Sequence, residues 1–168
     1  MKEYILVTSG FHVAGFVVHF MDSKKNDFVE MALHHIVALY LFGGLYLFNV
    51  WEAGAVAAFL HDIADIFISF SKSWAETEYG NVTGAFFVTA MGVWFYTRIY
   101  CLPQLMYSVA MEEFPIGNYC KYIFLYLLSC MLLLHVYWFC MFIKILMKFI
   151  KAGEAEDTIS ATEKKTDG

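Results

Sequence analysis

Five long apolar stretches constrain this chain more than any motif does: residues 4–21, 28–48, 50–71, 82–107 and 119–149 each run on with few charges. A hydrocarbon core about 30 Å thick is crossed by roughly 20 helical residues, so each stretch is long enough to span a bilayer. The chain is therefore read as an all-α integral membrane protein with five transmembrane helices. Its 60% hydrophobic content and mean hydropathy of +0.58 depart from a soluble globular average in the same direction. No fixed-period repeat is present, and one membrane domain over 1–151 is the simplest organisation. Beyond it, "GEAEDTISATEKKTDG" is polar and acidic, and 152–168 reads as a disordered tail. A net charge of −5 gives no basic surface for nucleic acid.

The connections are short: "DSKKND" at 22–27, almost nothing around Asn49, "SKSWAETEYG" at 71–80 and "SVAMEEFPIGN" at 108–118. Neighbouring spans are thus antiparallel, and Pro103 should end or kink the fourth. Lys24, Lys25, Lys72, Lys144, Lys148 and Lys151 all fall at one membrane face, which the retention of basic residues assigns to the cytosol. The N-terminus is then luminal and the tail cytosolic. The start of the chain is read as a retained span, because Lys2 stands beside Glu3 and no small-residue cleavage site follows. Arg98 lies about 24 Å from the cytosolic end of its span by helical rise. It is expected near the lumen, apart from the histidines, with Glu112 or Glu113 as partner.

Polar residues inside the spans carry the functional argument. By helical rise, His34 and His35 lie about 10 Å from the cytosolic end of the second span, and Asp65 and His61 about 10 and 16 Å from that end of the third. His61 and Asp65, four apart, share a helix face, with Asp62 beside them. The two groups can meet in one leaflet. A charge at the membrane centre costs at least about 2.5 kcal/mol on insertion scales, which favours paired and functional residues there. His12, His19 and His135 read as helix-contact residues. Di-iron histidine boxes fail on count, since the chain has six histidines and no such box. A zinc site of two or three His and an Asp survives on numbers, but no metal is expected.

"KKNDFVEMALHHIVALYLF" followed by "HDIADIFISFSK" resembles the Lag motif of ceramide synthases, the catalytic branch of the TLC-domain family. The likeness lies in the basic-Asp-Phe helix entry, the His34–His35 pair, H-D-x-x-D 26 residues later and Lys72. "YTRIYCLPQLMYS" and "LLLHVYWFCMFIKILMKFI" are similar to the family's last spans. Two departures stand out: Ala38 where a hydroxyl residue is usual, and Ser69 where many members are acidic. Family members carry about two further upstream spans around a six-helix ring, so this chain is expected to form most of a TLC-type ring and to lack upstream spans.

The resemblance implies N-acylation of a sphingoid base by fatty acyl-CoA in the endoplasmic reticulum membrane. Acyl-CoA would be a co-substrate with no bound cofactor, and a homo- or heterodimer is compatible with it. Chain-length choice is linked to the luminal loop, here 108–118. The site residues implied are His34, His35, His61, Asp62 and Asp65.

The chemistry suits these residue types. A sphingoid amine is largely protonated near neutral pH, and imidazole can take its proton or take the acyl group itself. Asp62 or Asp65 would orient the imidazole. Lys24, Lys25 and Lys72 could attract CoA phosphates, or simply anchor the cytosolic face. The alternative is a non-catalytic TLC protein for lipid sensing or cargo handling, which needs the fold but not this polar set. Cys101 and Cys120 are expected to stay unpaired, although an oxidising lumen permits a bridge. Thr158 and Ser160 are candidate phosphorylation sites in the tail.

Overall fold

The computed structural model describes residues 2–21, 27–75, 80–111, 113 and 117–152. Lys24, Lys25, Glu112, Thr158, Ser160 and the side chain of Lys72 lie outside the described residues, as does the tail beyond 152. Helices α1 (Lys2–Met21), α2 (Phe28–Leu47), α3 (Trp51–Ala75), α4 (Gly80–Trp94), α5 (Leu102–Met111) and α6 (Asn118–Ala152) follow in order, with a π-helical turn at Phe95–Cys101 joining α4 to α5. Five spans are long and apolar enough to cross a membrane, α4, the π turn and α5 making one of them. Among the described residues there is no strand.

The reversal between α2 and α3 needs only Phe48–Val50, because its backbone groups are satisfied locally. Val50 N–H donates to the Leu45 carbonyl (3.1 Å) and Asn49 N–H to that of Tyr46 (3.4 Å), the bonding of a Schellman motif. Asn49 supplies the left-handed residue with φ 60°, which asparagine tolerates better than most side chains. The tight turn brings Gly54 against α1 and α2. A Cβ there would stand 2.8 Å from Leu45 Cδ1 and 3.3 Å from Ile5 Cδ1.

Pro103 does not end its span. The carbonyls that lose a donor to its ring lie within the π turn just before it, whose wider register accommodates the mismatch. Buried hydroxyls are satisfied within their own helices, as where Thr97 donates to the Val93 carbonyl at 2.8 Å.

Two apolar clusters lie along the bundle. One joins Ile5, Leu41, Phe42, Leu45, Leu102 and Phe124 at the end near the α2–α3 turn. The other joins Ala64, Met91, Trp94, Trp138, Phe142 and Ile145 toward the opposite end. The polar residues gather along the seam between them.

Candidate active site

Each span contributes a buried polar residue to that seam: His12 from α1, His34 from α2, His61 from α3, Arg98 from the π turn and His135 from α6, all under 9% exposed. Buried polar groups in an apolar medium need partners, and the spans supply them to one another.

His61 is anchored first. Its Nδ1 lies 2.7 Å from the Ala57 carbonyl oxygen, which can only accept, so Nδ1 carries the proton and Nε2 presents a lone pair. The Nε2 of His135 stands 3.1 Å from that lone pair and donates to it. This leaves His135 Nδ1 as a buried acceptor with no protein partner. The Trp94 indole N–H donates to the His135 carbonyl at 3.2 Å and holds α6 against the end of α4. His34 closes the group, its ring centroid 6.4 Å from His61, 6.3 Å from His135 and 5.5 Å from Trp138.

His35 takes another direction. Successive helical residues diverge by about 100°, and while His34 faces α3 and α6, His35 faces α1. Its ring lies 5.8 Å from His12 and 6.1 Å from His19. It approaches the α1 backbone so closely that a Cβ on Gly15 would stand 2.9 Å from His35 Cε1. His12 stacks on Phe42 with centroids 5.3 Å apart and lies 5.8 Å from His34. His19 stacks on Phe28 and donates from Nε2 to its carbonyl at 2.8 Å, at the end of α1.

The carboxylates are engaged elsewhere. Tyr4 donates its hydroxyl hydrogen to Asp62. Arg98 Nη2 pairs with Asp65 Oδ1 at 2.5 Å and donates to the His61 carbonyl at 2.9 Å. On His61, a backbone carbonyl and not Asp62 or Asp65 fixes the tautomer.

Arg98 itself is a correction. Instead of standing near the lumen beside Glu112 or Glu113, it lies against the histidines, its guanidinium 4.0 Å from the Trp94 ring centroid. Helical side chains lean toward the N-terminus of their helix, so this long side chain reaches several ångströms back along its span to the carboxylate of Asp65. His12 and His135, which the sequence presents as helix contacts, also join the cluster. The "LLLHVYW" likeness to the family's last span was the available signal for His135. Cys101 and Cys120 are unbridged.

Two histidine triads have nitrogens within 4.8 Å of one another, His12–His34–His35 and His34–His61–His135. Their donors suit zinc in type and number, and the Ala57 carbonyl behind His61 is a usual second partner for a ligating imidazole. Neither triad includes the aspartate that the sequence offered as a further ligand, since Asp65 pairs with Arg98 and Asp62 accepts from Tyr4.

The family model described as "TLC domain" matches residues 1–144. The chain is similar to ceramide synthase 4 of Mus musculus, 31% identical over 169 residues, covering 98% of this chain and 42% of that protein. Human ceramide synthase 4 is similar to the same extent. Ceramide synthase LOH1 of Arabidopsis thaliana is 26% identical over 175 residues, covering 97% and 56%. The chain thus spans less than half the length of these mammalian relatives. No solved structure matches significantly.

Proposed function

The chain belongs to the TLC-domain family, and from that premise we propose that it transfers a fatty acyl group from acyl-CoA to the amine of a sphingoid base, with His34 meeting the acyl group. The observation that carries this reading is the position of His34, the one residue common to both histidine triads. A group that must accept and then release an acyl chain needs polar neighbours on both sides and an apolar place for the chain. The cleft lined by Leu41, Leu45, Leu105, Phe124, Leu128 and Ala57, whose carbonyl holds His61, is apolar but has a volume of only about 20 Å³, so the acyl chain would enter it as these helices part.

An imidazole nitrogen of His34 attacks the thioester carbonyl, and the carbon–sulfur bond breaks as the acyl-imidazole forms. The proton lost from the imidazole protonates the departing thiolate. The sphingoid ammonium then sheds one proton, its amine attacks the acyl carbon, and the amide forms as a second proton returns to His34. Each turnover releases CoA and one proton.

His61 and His135 hold the site beside His34 in a defined tautomer. His35 supports the substrate side, while Asp62 and Asp65 act through Tyr4 and Arg98. We place this site toward the cytosolic leaflet of the endoplasmic reticulum membrane. The membrane domain is 1–151, and the tail from 152 lies in the cytosol.

Reconstituted protein incubated with acyl-CoA alone should carry an acyl group on the His34 peptide by mass spectrometry, discharged when sphingoid base is added. CoA release only when both substrates are present would replace the acyl-imidazole with general-base catalysis. A folded His34→Ala, His35→Ala protein with unchanged function would overturn the enzyme reading in favour of a lipid-sensing or cargo-handling role.

A further inference from the structure

All six histidines of the chain stand in one unbroken succession. From His19 at the end of α1, ring centroids are 6.1 Å to His35, 5.8 Å on to His12, 5.8 Å to His34, 6.4 Å to His61 and 4.7 Å to His135. Within each triad the nitrogens come within 4.8 Å of one another, a gap closed directly or by one bridging water at about 2.8 Å per hydrogen bond. Nδ1 of His12, His34, His35 and His135 is buried with no hydrogen-bond partner among the described residues. A buried, uncommitted ring nitrogen costs about 1–3 kcal/mol, and three in direct succession, on His34, His12 and His35, are hard to explain as packing.

We propose that His12, His35 and His19 form a proton path, which takes the proton shed by the substrate ammonium beside the acylated His34 to the membrane face at the end of α1. The proposal rests on the acyl-transfer reading and extends it. Imidazole is suited to the task because it donates from one nitrogen and accepts at the other. The charged groups around the path give it a direction. Arg98 stands against His61 as a fixed positive charge, paired with Asp65, while Asp62 is engaged by Tyr4. An excess proton is therefore least favoured at the inner end, and His35 and His19, only partly buried, lie at the outer end.

The proton balance identifies the step that needs the path. Acylation of His34 gives its proton to the CoA thiolate and releases none. Discharge by a sphingoid base must first convert R–NH3+ to R–NH2, and that proton has to leave. His12→Phe preserves a ring against Phe42 but removes both nitrogens. In this variant an acyl adduct should still form from acyl-CoA, and its formation shows that the protein is folded. Discharge by sphingoid base near neutral pH should slow at least tenfold, and alkaline pH, where the amine arrives unprotonated, should restore it. Hydroxylamine, already unprotonated near neutral pH, should discharge the adduct as fast as in wild type. His19→Phe should show the same pattern with a smaller slowing.

Equal slowing of both nucleophiles, or no slowing with sphingoid base, would overturn the path while leaving the acyl-transfer reading intact. Stoichiometric zinc in the purified protein, lost in His61→Ala, would also overturn it, because metal-bound nitrogens cannot pass protons. Absence of any adduct in wild-type protein would overturn the reading and the path together.

Discussion

Replacing Arg98 or Asp65 tests whether the polar seam is held by a cross-span ion pair. The Arg98 side chain is 3% exposed and that of Asp65 56%. Removing one partner of a buried ion pair costs about 3–5 kcal/mol, mostly for the charge left behind. Asp65→Asn strands the guanidinium among Trp94 and the His61 carbonyl, and the whole of that range, about 3–5 kcal/mol, applies. Arg98→Met strands a carboxylate within the span, where surface left uncovered by protein does not face bulk water, so the same range applies. Loss of the cation–π contact with Trp94 adds about 1 kcal/mol.

With the contact to Trp94 lost as well, Arg98→Met should be the more damaging single change. The double variant leaves neither charge, and it should be less destabilised than the sum of the singles by at least about 2 kcal/mol. Equilibrium unfolding in mixed micelles reads all four corners of the cycle. Additivity within about 0.5 kcal/mol, the behaviour of independent sites, would refute the argument. So would Asp65→Asn proving clearly worse than Arg98→Met.

Gly54→Ala should destabilise the protein by about 1–3 kcal/mol through overpacking against Leu45 and Ile5. Gly10→Ala, with nothing within 4 Å of the new Cβ, should be neutral or slightly stabilising in the same unfolding assay, since alanine favours helix by about 1 kcal/mol. Gly15→Ala should push the His35 ring from its place at 2.9 Å and lower acyl transfer while the helical content measured by circular dichroism is unchanged. Asn49→Val should cost about 1–2 kcal/mol, because a β-branched residue is strained at φ 60°. An unchanged midpoint would show that the turn finds another conformation.

The spans, their antiparallel order and the common level of His34 and His61 could all be read from residue order alone. These follow from local quantities: the length of apolar chain needed to cross hydrocarbon, the shortness of the connections and the cost of a polar group within a span. Which face each helix turns to which neighbour is not local. One residue of rotation moves a side chain by about 100°, and close approaches such as Gly15 to His35 and Gly54 to Leu45 set that rotation.

Only tertiary packing therefore separated His34 from His35, drew His12 and His135 into the cluster and sent Asp62 to Tyr4. Arg98 is the clearest case. Counting helical rise gives the depth of its backbone, but a long side chain chooses its partner over several ångströms. In an apolar interior that partner is the carboxylate of Asp65, 33 residues away in sequence.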